Sequence, residues 1–327
     1  MKKIIFINFI AIVLIILVLE LIIKHFQLSD LMGIEGEKLY NLESSHYKFK
    51  SNAEGLVFNE MIYTETNGFR APYQNFKYDN QKKSVIFFGD SVTFGNGVEE
   101  SKTFVGLLRI KYKNYNFYNI SLPGYQINDH LKNLSYLDNI NNIDKIFYVY
   151  TLNDILIDQN IEKFNFSDNK NFNLIDNLKK IKTIYYLNTW LISKSYLYMY
   201  LRGKFTDPSS RWFKYDYNLY YNEILLKNLN KNFNELKNNL LNKNREIIVI
   251  ILPYEYQTRN NQCSDEISLP QNKIIEILKK EDIKYYNLLK MFCKQEEKKH
   301  FFYKFDPMHL SIKGHFLVFK FLDELFN

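Results

Sequence analysis

The run Ser84-Val85-Ile86-Phe87-Phe88 leads directly into Gly89-Asp90-Ser91, and this junction indicates the fold. A short apolar run that ends at a glycine is typical of a buried strand in a parallel sheet. Gly89 allows the backbone to turn sharply, so the hydroxyl of Ser91 can lie exposed at the carboxyl end of the strand. The alternative is an ordinary turn in which Asp90 and Ser91 satisfy backbone N–H groups. These residues alone do not separate the two interpretations.

Further apolar runs alternate with amphipathic segments along the chain. This alternation predicts an α/β fold, a parallel sheet with helices on both faces, in which ligand-binding groups gather at the carboxyl ends of the strands. The other predicted strands are 115–120, 145–150, 247–252 and 283–286. The predicted helices are one capped by Ser101 that runs through 104–108, and others at 127–137, 274–278 and 316–325.

Composition and charge exclude several other classes of protein. The 327 residues are 46% hydrophobic and include only 11 Gly and 6 Pro, which excludes a collagen-like chain, a disordered chain and a multi-span membrane protein. The formal charge of +7 is spread along the chain. Because no basic run occurs, nucleic-acid binding is not indicated, while a weak attraction to anionic lipid or to an acidic polymer stays open.

The N-terminus predicts a membrane anchor. Residues 4–23 are apolar except for Asn8 and Glu20. Twenty helical residues span about 30 Å, the thickness of the hydrocarbon core of a bilayer. No small-residue cleavage site follows this run, so we predict that residues 1–27 are an uncleaved anchor and not a signal peptide.

The charges beside the apolar run bear on its orientation. Lys2 and Lys3 favour a cytoplasmic N-terminus, although Lys24 at the other end weakens this bias. We therefore expect a single-pass protein of the cytoplasmic membrane, with its body outside the cytoplasm in a bacterial cell envelope.

The remainder divides into a leader and a body. We predict that residues 28–80 are a leader that packs on the body, and that residues 81–327 are one α/β domain with an insertion at 155–240. Within this insertion, 181–201 is rich in Leu, Ile and Tyr and contains Trp190, but its Lys and Asn residues argue against a second membrane span. We expect a helix here that covers the edge of the active site or lies at the membrane surface.

The two cysteines, Cys263 and Cys293, are too few for a four-cysteine zinc site, and no CxxC or HExxH motif occurs. No metal is therefore expected. Outside the cytoplasm the two cysteines could pair as a disulfide, and two unpaired buried thiols are the alternative.

Three more groups with chemical potential follow predicted strands or precede the last helix. Gly124, which ends Asn119-Ile120-Ser121-Leu122-Pro123-Gly124, allows a backbone N–H to approach a ligand; an ordinary turn is the alternative. Asn153, after the third strand, can donate its amide to a developing oxyanion; a helix cap is the alternative. Asp306 and His309 can form a carboxylate–imidazole pair in which the ring is a general base; a helix cap beside a surface histidine is the alternative.

The order and placement of these groups resemble the SGNH/GDSL hydrolase family over residues 84–155 and 300–327. The resemblance implies a three-layer α/β/α sandwich with a parallel sheet in the flavodoxin-like arrangement. It also implies three catalytic roles: Ser91 as the nucleophile, His309 as the base and Asp306 as its orienting partner. The oxyanion hole would be formed by the N–H groups of Ser91 and Gly124 and the amide of Asn153.

One position departs from the pattern of the family. Its third block usually reads Gly-x-Asn-Asp, and Thr151 stands here in place of that Gly. This departure puts the local backbone path and the shape of the pocket in question, but not the Asn donor.

Two further residues are candidates for binding substrate. Asn67-Gly68-Phe69-Arg70 resembles a stretch seen in membrane-anchored members of the family that act on cell-surface glycans. Arg70 could bind a substrate group or, the interpretation we favour, anchor the leader to the body by charge-assisted hydrogen bonds. Asp154, next to Asn153, is the second candidate.

The resemblance implies a serine esterase that needs no metal or organic cofactor. For an anchored enzyme outside the cytoplasm we expect an acylated carbohydrate of the envelope, with O-acetyl as the acyl group. An O-acetyltransferase that uses the same acyl-enzyme, a lipase or thioesterase, and a non-catalytic glycan-binding or assembly protein are the alternatives. Besides an ester substrate, the expected partner is the membrane through residues 4–23; no nucleic acid is expected, and protein partners are unknown.

Overall fold

The computed structural model describes residues 2–33, 39–41, 48–156, 182–259, 264–295 and 300–326. The strands are β1 Tyr40–Asn41, β2 Lys48–Phe49, β3 Glu54–Val57, β4 Glu60–Thr64, β5 Arg70–Ala71, β6 Lys83–Phe88, β7 Tyr115–Asn119, β8 Ile143–Tyr150, β9 Ile247–Ile251 and β10 Lys284–Asn287. The α-helices are α1 Lys2–His25, α2 Ser91–Phe94, α3 Phe104–Lys111, α4 Ile127–Lys132, α5 Lys182–Lys194, α6 Tyr196–Thr206, α7 Pro208–Leu219, α8 Glu223–Leu241, α9 Glu255–Thr258, α10 Leu269–Lys280, α11 Leu289–Cys293 and α12 Ile312–Glu324. Short 3₁₀ helices cover Glu100–Lys102, Leu134–Asn139 and Leu152–Ile155.

The main sheet has the strand order β10-β9-β8-β6-β7-β5-β4-β3. Its pairs from β10 to β7 are all parallel. Numbered along the chain, this parallel part has the order 2-1-3-4-5 of flavodoxin-like folds, so its topological switch point lies beside β6. Ligands in such sheets bind at the carboxyl end of that strand, which is where Ser91 stands.

Side chains alternate across the strands and build one core on each face of the sheet. In β6, Val85 and Phe87 belong to one core, and Ile86 and Phe88 belong to the other. The first core is covered by α3, α11 and α12, and the second by α4, α8 and α10. Helices therefore cover both faces, and the predicted three-layer α/β/α sandwich is confirmed.

The leader is part of the sheet, which the sequence did not predict. Its strands β3, β4 and β5 are antiparallel, and β5 joins the sheet where Arg70 pairs with Asn119 of β7. The sheet is consequently mixed at this edge. These leader strands are short, and the longest, β4, has five residues, so their apolar pattern is too brief to stand out.

The region predicted as an insertion, 155–240, also contains a helix of the sandwich. Helix α8 buries Leu229, Phe233 and Leu236 completely in the same core as β8. The additional structure therefore ends before α8, while residues 157–181 lie outside the described part of the chain. Two helices, α5 and α6, replace the single helix expected at 181–201. The cap predicted at Ser101 is instead Thr103, whose hydroxyl accepts from the N–H of Gly106.

The N-terminal helix α1 matches the predicted anchor in length and character. It has 24 residues with a mean hydropathy of 3.1 over its most apolar window, and none of that window is buried. A helix of this length and hydropathy can cross a bilayer or be a signal sequence.

Cys293 is disulfide-bonded. The only other cysteine of the chain is Cys263, which lies outside the described residues.

Arg70 fastens the leader to the loop that follows α2. Its side chain is completely buried, and its guanidinium donates to the carbonyl oxygens of Phe94, Gly95 and Val98. It also lies over the ring of Phe94, with 5.2 Å between Cζ and the ring centroid. Burial and the neighbouring Arg109 lower the pKa of Arg70 to about 9. The substrate-binding option for Arg70 is thus not supported, because substrate has no access to a side chain that is 0% exposed.

We expect Arg70→Met to lower the free energy of unfolding by roughly 2–4 kcal/mol, because buried carbonyl oxygens lose their donors. Urea unfolding of the full chain in detergent, followed by circular dichroism, measures the change. Lys77→Met is the matched control: Lys77 is an exposed cation of the same leader, so stability should stay within about 0.5 kcal/mol. Equal stability of the two variants would contradict the anchoring role.

Candidate active site

Polar groups from four parts of the chain lie near the carboxyl edge of the parallel strands. Ser91 begins α2 directly after β6, and Asn153 lies in the 3₁₀ helix that follows β8. Gly124 follows β7, the other neighbour of β6. Asp306 and His309 lie in the segment that precedes α12. The sequence predicted each of these placements.

The turn that carries Ser91 depends on the absence of a side chain at Gly89. A Cβ atom there would lie 2.2 Å from Oγ1 of Thr93 and 3.0 Å from the carbonyl oxygen of Val149, so no larger residue fits. Asp90 then caps α2, because its Oδ1 accepts from the N–H of Val92 at 2.8 Å. These contacts fix the backbone on which Ser91 projects, with 9% of the residue exposed.

Ser91, His309 and Asp306 form an unbroken chain of hydrogen bonds. Oγ of Ser91 lies 2.8 Å from Nε2 of His309, and Nδ1 of His309 lies 2.8 Å from Oδ2 of Asp306. The other carboxylate oxygen of Asp306 accepts from the N–H groups of Met308 at 2.8 Å and His309 at 2.6 Å. Exposure of the side chain rises from 0% at Asp306 to 13% at His309. The carboxylate of Asp306 is therefore shielded from water, while the hydroxyl of Ser91 borders solvent.

The pKa of His309 reflects two opposing causes. Burial lowers it, but the charge of Asp306 and the hydrogen bond to it outweigh burial, so the pKa is raised above its ordinary value of 6.5. A stronger base accepts a proton from a hydroxyl more readily, so this shift suits a general base.

The groups that the sequence predicts for an oxyanion hole have N–H groups available for a ligand. Within the described residues, the N–H groups of Ser91 and Gly124 donate no hydrogen bond to the protein. Gly124 has a φ of 80° and is exposed, so its backbone adopts the left-handed conformation that favours glycine. The amide Nδ2 of Asn153 lies 3.4 Å from Oδ2 of Asp90 and retains a second N–H for a ligand.

Thr151, the departure from the family pattern, has a role of its own. Its hydroxyl lies 2.8 Å from Oδ2 of Asp90 and 2.7 Å from Oδ1 of Asn153, so it joins the cap of α2 to the proposed amide donor. The phenol of Tyr254 lies 3.3 Å from the same Oδ1 and 2.6 Å from Oδ2 of Asp216. Sequence reasoning treated Thr151 only as a departure from the family pattern, and it did not identify Tyr254, which belongs to no spacing motif.

Asp154 is not placed where substrate can reach it. Its side chain is 0% exposed, and its Oδ2 accepts from the N–H of Thr151 and the hydroxyl of Tyr148, both at 3.2 Å. Burial, with the nearby charge of Asp90, raises the pKa of Asp154 well above its ordinary value. The suggestion that Asp154 binds substrate is therefore not supported; it caps the 3₁₀ helix that carries Asn153.

The leader supplies one side of the site. The ring of Phe58 meets the imidazole of His309 edge-on, with 5.1 Å between centroids. Phe58 and Asn59 form the two-residue turn between β3 and β4, and both have positive φ, 49° and 67°. The sequence Phe58-Asn59 lacks the Asn-Gly or Asp-Gly signature of such turns, so no local signal points to it.

Another buried histidine, His130, contacts the backbone of the turn at Gly89. Its Nε2 lies 3.2 Å from the amide nitrogen of Gly89, and burial lowers its pKa to about 3. It is therefore neutral, and Nε2, which also lies 3.1 Å from the carbonyl oxygen of Gly89, accepts from the N–H or donates to the carbonyl according to its tautomer.

No protein-family model matches the chain, and no curated protein matches it. Among solved structures it is similar to a member of the lipolytic G-D-S-L family from Veillonella parvula, with 14% identity, 75% of this chain and 98% of that chain covered, and a TM-score of 0.43. The acetyl xylan esterase AlAXEase is 16% identical, with 74% and 98% covered and a TM-score of 0.44. The lipase/acylhydrolase from Enterococcus faecalis is 17% identical, with 73% and 93% covered and a TM-score of 0.41.

We expect Asp306→Asn to move the acidic limb of kcat/KM to lower pH and to reduce kcat about 10³–10⁴-fold. If His309 is the general base, activity requires its neutral form and rises with pH through its pKa; loss of the carboxylate lowers that pKa. Hydrolysis of p-nitrophenyl acetate between pH 4 and 9 measures both effects. Asp282→Asn removes a carboxylate whose side chain is 102% exposed and should change neither quantity. An acidic limb that stays in place in Asp306→Asn would contradict the assignment.

We expect Thr151→Val to reduce kcat about fivefold with little change in KM, because Asn153 loses a positioning hydrogen bond worth about 1 kcal/mol. Thr151→Ser keeps the hydroxyl and should retain most of the activity. The same esterase assay checks this. If Thr151→Val is as active as Thr151→Ser, the hydroxyl has no positioning role.

Proposed function

We propose that the chain is a serine ester hydrolase that works through an acyl-enzyme on Ser91. The observation that carries the proposal is the continuous hydrogen-bonded path from Oγ of Ser91 through the imidazole of His309 to the buried carboxylate of Asp306, with 2.8 Å at each step. A hydroxyl, an imidazole and a buried carboxylate in this relation convert a weak nucleophile into an effective one.

In the first half of the reaction, Oγ of Ser91 attacks the ester carbonyl while Nε2 of His309 takes the hydroxyl proton. The tetrahedral intermediate collapses when the imidazolium returns that proton to the leaving alkoxide, which departs as an alcohol. In the second half, His309 takes a proton from water, which attacks the acyl-enzyme. Collapse releases a carboxylic acid and restores Ser91. Overall, one ester and one water give one acid and one alcohol.

The negative charge that develops on the carbonyl oxygen needs donors already in position. The unpaired N–H groups of Ser91 and Gly124 and the free N–H of Asn153 are the proposed set. Because the hydroxyl of Thr151 lies 2.7 Å from Oδ1 of Asn153, the amide is oriented before the reaction begins.

For the substrate we propose an O-acyl group, most simply O-acetyl, on a glycan of the cell envelope. Two features support an anchored protein with its body outside the cytoplasm: α1 is long and apolar enough to cross a membrane, and the disulfide bond of Cys293 favours an oxidising compartment. Disulfides persist mainly in oxidising compartments. An anchored esterase in that compartment meets acylated glycans.

We expect the full chain in detergent to hydrolyse p-nitrophenyl acetate and to lose this activity in Ser91→Ala. Asn153→Ala should reduce kcat about 10²–10³-fold, the usual effect of removing one oxyanion donor. Asn239→Ala alters an exposed asparagine of α8 and serves as the control. Wild-type activity in Ser91→Ala would refute the proposed nucleophile.

The glycan assignment has a separate test. An O-acetylated oligosaccharide is incubated with the wild type and with Ser91→Ala, and free acetate is measured beside acetyl transfer to an unmodified oligosaccharide. Release of acetate by the wild type alone supports the hydrolase. Transfer without release identifies an acetyltransferase, and neither product means that the glycan is not the substrate.

A further inference from the structure

The anchor helix α1 makes specific contacts with the body of the protein. The carboxylate of Glu20, near its carboxyl end, accepts from the N–H groups of Tyr196 at 2.6 Å and Leu197 at 3.0 Å, and from the hydroxyl of Ser195 at 2.9 Å. Because these N–H groups lie in the first turn of α6, they have no carbonyl partner within the helix, and a negative charge is favourable there. The Nζ of Lys24 also lies over the ring of Tyr196, 5.9 Å from its centroid.

The segment after the anchor contacts the loop that carries the catalytic acid and base. The backbone N–H of Lys304 donates to Oδ2 of Asp30 at 2.9 Å, and the ammonium of Lys304 donates to the carbonyl oxygen of Gln27. Lys304 precedes Asp306 by two residues. Helix α6 closes against the same loop, because Gly203 lies where the ring of Phe305 leaves no room for a Cβ atom, 2.0 Å from the nearest ring carbon.

These contacts limit how far the site can lie from the membrane. The chain takes two residue steps from His25 to Gln27 and two from Lys304 to Asp306, and these four steps together span at most about 14 Å. With one lysine side chain between them, Asp306 lies within roughly 25 Å of the end of α1, less than the thickness of the hydrocarbon core.

Beside this junction, α5 exposes an unusual set of large apolar side chains. Four of them are more than half exposed: Tyr185 56%, Tyr186 59%, Leu187 55% and Trp190 58%. We call these four residues the aromatic patch. The end of α5 is joined to the segment after the anchor, because the N–H of Met32 donates to the carbonyl oxygen of Ile192 at 3.2 Å. Tyr and Trp concentrate at the interface between membrane and water, where an amphipathic ring contacts both lipid and headgroups.

From these contacts we infer that the aromatic patch rests on the bilayer and that the site acts on esters carried by membrane-embedded molecules, such as a lipid-linked acylated glycan. This inference rests on the proposed ester hydrolysis. The fixed anchor, the short path to Asp306 and the patch keep Ser91 near the headgroups. A lipid-borne ester in the same bilayer therefore has a much higher effective concentration at the site than one free in solution.

The test uses the full chain in vesicles of phosphatidylethanolamine and phosphatidylglycerol. One O-acetylated oligosaccharide is supplied either free or linked to a lipid in the same vesicles, with p-nitrophenyl acetate as a substrate independent of the membrane. We expect kcat/KM, calculated with the bulk concentration of substrate, to be at least about tenfold higher for the lipid-linked oligosaccharide than for the free one. Glu20→Gln combined with ten Gly and Ser residues inserted after Gln27 weakens the contacts of α1 with α6 and lengthens the connection. This variant should reduce the preference severalfold and leave aryl acetate hydrolysis unchanged.

A second measurement does not need activity or the inserted variant. Trp190 and Trp212 are the two tryptophans of the chain, so Trp212→Phe leaves Trp190 as the only indole reporter. We expect lipids brominated near the headgroup to quench Trp190 more than lipids brominated near the chain ends.

The outcomes separate the two proposals. Equal kcat/KM for free and lipid-linked glycan, with aryl acetate still hydrolysed, overturns the lipid-borne substrate and leaves the esterase. An absence of Trp190 quenching overturns the membrane-resting patch. Quenched Trp190 without hydrolysis of any ester supports the patch and overturns the proposed function.

Discussion

The imidazole of His309 connects two parts of the chain that are 218 residues apart in sequence, and the site depends on this connection. One side is the glycine-dependent turn after β6, which holds Ser91. The other is the loop before α12, where the buried carboxylate of Asp306 holds the ring. The turn that holds Ser91 is fixed by the cap that Asp90 provides and by the packing at Gly89. The loop that holds His309 is fixed by the two backbone N–H groups that donate to Asp306.

Much of this arrangement is predictable from sequence because its signals are local. The strands of the parallel sheet are runs of apolar residues, and β6, β8 and β9 are found within about two residues of their predicted bounds. A parallel sheet brings the carboxyl ends of adjacent strands to one edge, so residues just after β6, β7 and β8 were expected to be neighbours. The candidate residues Ser91, Gly124 and Asn153 follow from this rule together with the resemblance to a known family.

What the sequence did not reveal depends on contacts between distant segments. The edge strands of the leader are short, and β5 is recognised only through its pairing with β7. Asp154 was a candidate for binding substrate, and its complete burial argues against that role. For Arg70 the sequence left two roles open, and its burial against the loop carbonyls agrees with the anchoring role that we favoured. Phe58 reaches His309 through a turn without a sequence signature. Thr151 was interpreted as a departure from a motif, whereas its hydroxyl lies within hydrogen-bond distance of both Asp90 and Asn153.

The most direct test of the central claim is covalent labelling of the full chain with a fluorophosphonate, followed by peptide mapping. If His309 activates Ser91, one phosphonate should attach per chain, at Ser91, and His309→Ala should slow the labelling at least about 100-fold. Labelling at another serine, or labelling of Ser91 at the same rate without the imidazole, would contradict the account.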